Sequence, residues 1–135
     1  MDYIIVSILL TTDWKLRTLS SIYEMLKPRH GNASIDYLKM DVEFAERDVI
    51  PQILQSGMLD KVKQLGLEIH FRSLGEIDEF QRYARVIKSI EDYGMVRFNS
   101  KVNLLASKIR HPDLEDIEFY SAYELAWYNS RFYSK

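Results

Sequence analysis

The stretch that most constrains this chain is Ile35 to Glu46, IDYLKMDVEFAE. It reads as an apolar strand, Ile35 to Met40, whose C-terminal tip delivers Asp41 and Glu43 before a helical pattern begins at once. The period changes from two to 3.6 with no linker between, and the same change occurs elsewhere in the chain. Strands alternating with helices imply crossover connections and a parallel sheet. In such a sheet ligands gather at the carboxyl ends of the strands, which would put both acids at the chemistry.

The other segments extend this reading. Ile4 to Leu10 is an unbroken apolar run, as in a strand covered on both faces, ended by Thr11, Thr12 and Asp13. Its seven apolar residues are too few for a membrane span, and Asp2 stands where a leader would carry positive charge. Leu16, Leu19, Ile22, Tyr23 and Leu26 fall on one helical face, with Asp13 or Thr18 as cap and Pro28 as stop. A second helix is expected from about Phe44 to Ser56, burying Val49, Ile50, Ile53 and Leu54 and closing at Gly57; Pro51 lies inside it and leaves its start open. Leu65, Leu67, Ile69 and Phe71 alternate as a strand, with Glu68 and His70 on the other parity.

A third helix presents Ile77, Phe80, Ala84, Ile87 and Ile90 and stops at Gly94. A short strand, Met95 to Phe98, follows it. Residues 99–116 then read as a long connection in which Arg110 and His111 are solvated. A long aromatic strand, Ile117 to Asn129, closes the chain, and the last two strands should form an antiparallel pair at one edge of the sheet.

Composition narrows the function. One domain is expected, residues 1–135. A net charge of -2 argues against a nucleic-acid surface built on bulk charge, and the lack of cysteine excludes disulfides and thiolate chemistry. No glycine-rich nucleotide loop, P-loop, H-E-x-x-H or G-x-S-x-G is present. The candidate site is therefore the four residues that two neighbouring strand tips would share: Asp41, Glu43, Glu68 and His70. The acids can bind a ribose or amine, hold a metal through water or act as general base, and His70 suits proton transfer near neutral pH. The plainer alternative is that Glu43 and Glu46 complement a helix dipole and His70 is a hydrogen-bonded core histidine.

The blocks T-L-S-S-I (Thr18 to Ile22), I-D-Y-L-K-M-D-V-E-x-A-E (Ile35 to Glu46), V-K-Q-L-G-L-E-I-H-F (Val62 to Phe71), I-E-D-Y-G (Ile90 to Gly94) and Y-E-L-A-W-Y-N (Tyr123 to Asn129) resemble the FkbM-type and animal methyltransferase-like S-adenosylmethionine-dependent methyltransferases. The similarity spans about Trp14 to Asn129. It implies an α/β fold: the C-terminal half of a Rossmann-like class I methyltransferase sheet of seven strands, with the closing antiparallel strand inserted beside the fifth, Leu65 to Phe71. It also implies S-adenosylmethionine as cofactor, a methyl acceptor as partner, and Asp41, Glu43 and His70 as catalytic residues, with Asp41 also touching the cofactor.

Two departures qualify what the resemblance implies. Phe44 replaces the family's usual glycine, and a phenylalanine there resists a left-handed backbone. The glycine-rich turn and the ribose-binding acid that precede these blocks in the family have no counterpart before Trp14. The expectation is an incomplete domain that binds the cofactor weakly alone. The alternative is a catalytically inactive α/β interaction module whose sheet edge, at Ile35 to Met40, is covered by Ile4 to Leu10 or by another chain, with self-association through that edge.

Overall fold

The computed structural model describes residues 3–7, 16–72, 77–115 and 117–133. Strands alternate with helices in the order β1 (Tyr3–Ser7), α1 (Leu19–His30), β2 (Ile35–Asp41), α2 (Glu46–Gln55), β3 (Val62–His70), α3 (Ile77–Asp92) and β4 (Met95–Val102). A small hairpin, β5 (Lys108–Arg110) and β6 (Glu118–Tyr120), precedes the last strand, β7 (Ala122–Asn129). The fold is α/β. β1, β2 and β3 are parallel, while β7 runs antiparallel between β3 and β4, giving the order β1-β2-β3-β7-β4. The closing strand thus lies inside the sheet beside β3, as the family resemblance implied, and β4 forms the edge.

Alternation explains the layering. Leu38 and Met40 of β2, Leu65, Leu67 and Ile69 of β3, and Leu125 and Trp127 of β7 share one face. They join Leu19 and Tyr23 of α1, Ile50 and Ile53 of α2, and Tyr83, Val86 and Ile90 of α3 in one apolar core. The opposite face carries Tyr37, Lys39, Gln64, Gly66, Glu68, Glu124 and Tyr128, with no helix upon it among the described residues. None of the described helices is long and apolar enough to cross a membrane.

Ile4 to Ser7 do cover the edge of β2, pairing Tyr3 with Tyr37 through Ser7 with Asp41. Residues 8–10, the break after them and Asp13 as a cap lie outside the described residues. Thr18 caps α1, its side chain accepting from the Ser21 N–H at 3.2 Å. Leu16 therefore precedes the helix and is exposed, not part of its buried face. Pro28 does not end α1. It sits in the last turn, where only one backbone bond is lost, and the helix closes at Gly31 with φ 63°.

Three further boundaries move for local reasons. α2 starts at Glu46 rather than Phe44, because Glu43 and Phe44 have φ of 46° and 74° and cannot continue a right-handed helix. Pro51 lies within α2, and Gly57 follows the cap residue with left-handed φ 71°. β3 begins at Val62, three residues early, where Lys63 donates to Asp36 of β2 at 2.7 Å, and Phe71 falls just beyond its end.

α3 is rotated from the expected face. Its buried residues are Glu79, Tyr83, Val86 and Ile90, while Ile77 and Ala84 are exposed. Two polar partners on α2 draw it round: Arg47 lies 3.3 Å from Glu79, and Glu46 accepts from the Tyr83 hydroxyl at 2.8 Å. β4 extends to Val102, and the expected long aromatic strand is split at Ser121 into β6 and β7. The connection between β4 and β7 holds that hairpin. His111 is buried rather than solvated, its ring centroid 5.6 Å from that of Phe80.

Candidate functional site at the carboxyl edge of β2 and β3

Parallel pairing brings the two sequence-predicted pairs of polar residues together. Met40 lies opposite Leu67, so Asp41 at the end of β2 reaches the level of Glu68, and His70 ends β3 one pleat further on. The left-handed residues Glu43 and Phe44 then turn the chain back over this edge. Around the His70 Nε2 stand Glu68 Oε1 at 3.6 Å, Glu43 Oε2 at 3.7 Å and Asp41 Oδ1 at 3.8 Å. The Phe44 ring closes one side, 5.4 Å from the imidazole between centroids, and the Arg72 guanidinium lies 4.7 Å over that same ring.

The other nitrogen of His70 is held from below. Its Nδ1 lies 2.9 Å from Glu46 Oε1, which also accepts from the Phe44 N–H at 3.2 Å. Glu46 Oε2 accepts from the Tyr83 hydroxyl at 2.8 Å. Glu46 is fully buried at the first turn of α2, where the helix N-terminus also favours its negative charge. A carboxylate with these three partners is tightly fixed, and it orients the imidazole it binds. Glu68 is aimed in the same way, by the Asn103 amide at 2.6 Å.

Electrostatics follow from this crowding. Burial first, and then the neighbouring Glu68, hold the Asp41 carboxyl above its ordinary pKa. Burial works against charge on His70, but the hydrogen bond to Glu46 and the carboxylates of Glu46, Glu43 and Glu68 outweigh it, so its pKa is raised. Burial and Glu46 push the Tyr83 hydroxyl well above the ordinary tyrosine value.

Asp41, Glu43 and His70 therefore do meet, with Glu68 beside them. Sequence reasoning missed Glu46 and Tyr83 as part of the same unit. Glu46 was legible only as a first-turn acid, and Tyr83 was hidden by a helical face placed one residue away.

No family model matches the chain, and no curated protein matches it. Among solved structures it is similar to a protein of Pyrococcus horikoshii assigned as an RNA methyltransferase, with 15% identity and a TM-score of 0.41 over 73% of this chain and 44% of that one. It is also similar to Aeropyrum pernix fibrillarin, solved with natively bound S-adenosyl-L-methionine, with 14% identity and a TM-score of 0.40 over 77% of this chain and 40% of that one. The chain spans less than half the length of each.

Proposed function

We propose that this chain carries the C-terminal half of an S-adenosylmethionine-dependent methyltransferase domain, of the FkbM-type group whose sequence blocks it resembles. The observation that carries this reading is the sheet itself: β7 lies antiparallel between β3 and β4, and Asp41, Glu43 and His70 stand together at the carboxyl edge of β2 and β3.

By themselves the residues at that edge do not fit the cofactor. A methionine carboxylate and a ribose call for a glycine turn of free amides and a separate acid, yet no glycine precedes Gly31. The left-handed turn after β2 is filled by the Phe44 side chain. The work left to this chain is positioning of the acceptor. Asp41 and Glu43 offer hydrogen-bond acceptors to an amine or hydroxyl, and the His70 Nε2, with Nδ1 held by Glu46, stands ready to take its proton.

A second reading is a catalytically inactive module that binds a partner through its sheet. The edge strand β4 favours it, since Val96 and Phe98 are exposed there. The full-length transcript separates the two: an in-frame upstream block with a glycine-rich turn is expected for the methyltransferase, and a complete transcript beginning at Met1 would sink it. Calorimetry of this chain with S-adenosylmethionine should give no binding tighter than millimolar, about -4 kcal/mol. Micromolar binding would show the cofactor argument to be wrong.

A further inference from the structure

We propose that Asp41, Glu43 and His70 form a binding site for a divalent first-row transition-metal ion at the carboxyl edge of β2 and β3. The site stands on its own geometry, and an ion there takes the Nε2 lone pair, so that His70 holds the metal instead of receiving the acceptor's proton.

Their donor atoms, two carboxylate oxygens and one imidazole nitrogen, all lie within 4.8 Å of one another. Bonds of about 2.1 Å to a shared ion place neighbouring donors roughly 3.0–3.4 Å apart. The His70 Nε2 is 3.7 Å from Glu43 and 3.8 Å from Asp41, so closing movements of roughly 0.3–0.8 Å bring each acid into ligand spacing with the imidazole. Glu68 Oε1, at 3.6 Å from the same nitrogen, remains as a further ligand or an acceptor for bound water.

Two observations point to a cation rather than to a merely acidic corner. The His70 Nε2 makes no hydrogen bond among the described residues, although three carboxylates face it. An imidazolium N–H at this nitrogen would draw one of them to about 2.8 Å, and none comes closer than 3.6 Å. Asp41 Oδ1, which faces this nitrogen, is itself buried without a hydrogen bond. The charge count agrees. Asp41, Glu43, Glu46 and Glu68 surround one imidazole, while Lys39 meets Glu68 only through its other oxygen, at 3.9 Å.

The outer contacts match what a metal-bound histidine needs. With its proton on Nδ1, donated to Glu46, His70 turns the lone pair of Nε2 toward the two acids, and Tyr83 fixes Glu46 in turn. An imidazole mixed with carboxylates suits manganese, iron, cobalt or zinc, whereas magnesium and calcium prefer oxygen alone. Positions beyond the three ligands are left to water or to an oxygen of a substrate.

The test is titration of the chelator-treated protein with Zn2+ by calorimetry and with Mn2+ by electron paramagnetic resonance. One ion per chain is expected, with a dissociation constant on the order of micromolar. Glu43 is half-exposed on a turn, so Glu43→Gln should stay folded, and it should weaken Zn2+ by about tenfold or more. Glu46→Gln, which touches no ion, should weaken it by about 10–100-fold. Glu124→Gln, on the same sheet face, should leave binding unchanged. No saturable binding of either ion, unchanged Zn2+ affinity in Glu43→Gln, or Mg2+ binding as tightly as Mn2+ would overturn the proposal.

Discussion

Glu46 has no contact with water, yet it holds three groups from three parts of the chain: the Phe44 N–H, His70 and Tyr83. A buried carboxylate is tolerable only while such partners remain. Tyr83→Phe removes one donor and leaves Glu46 Oε2 bare, so a loss of about 1–3 kcal/mol is expected in chemical denaturation at pH 7. The pH dependence should change as well. The folded Tyr83 keeps its proton above the ordinary value of 10, so the unfolded chain ionises first. Its contribution is complete below that pH and is lost as the pH climbs through and beyond it. Stability of the parent should therefore fall more steeply than that of Tyr83→Phe between pH 9 and about 11; equal slopes would show that Tyr83 ionises freely.

At the scale of the element, the middle of β3 depends on an absent side chain. Gly66 faces Tyr37 and Lys39 across the parallel pair, and a Cβ there would overlap the Tyr37 hydroxyl and lie 2.9 Å from its ring Cζ. Gly66→Ala should lose about 1–3 kcal/mol. Much of that should return on adding Tyr37→Ala, which a double-mutant cycle would read as coupling. If the two effects simply add, the ring has room to swing away.

The strands themselves were legible because their apolar residues are contiguous or alternate, and His70, Asp41 and Glu43 could be placed at strand tips by counting. α3 was misread for a physical reason. Periodicity assumes that apolar residues face inward, but Glu79 and Tyr83 turn inward to meet Arg47 and Glu46. Of the small hairpin, β6 lay within the expected closing strand, and β5 was missed because it has only three residues, two of them exposed cations. Phe44 was expected to resist a left-handed backbone, and it adopts one at φ 74° with its ring between His70 and Arg72. Nothing in a single sequence announces that those contacts outweigh strain of about 1 kcal/mol or more.

For the whole molecule, the joint between the last strand and the start of β3 is made by one buried amide. The Asn129 Nδ2 donates to the carbonyls of Leu59 and Val62, at 3.0 and 3.1 Å, and its oxygen accepts from the Arg131 N–H. Asn129→Ala strands two carbonyls that lie almost 70 residues earlier in the chain. A loss of about 2 kcal/mol or more in denaturation is expected; an unchanged midpoint would mean that water takes over both bonds.

The place of β7 in the sheet also sets an order of events during synthesis. A chain emerges from its N-terminus, so β1, β2 and β3 can pair while the rest is still being made. β4 cannot join them, because its partner in the sheet is β7, which is made later and must slot in between β3 and β4. Until Ala122 to Asn129 have left the ribosome, the nascent molecule holds two unfilled strand edges facing one gap. That interval gives a chaperone or a stray strand from another chain an opening in the middle of the sheet, where the finished fold has none.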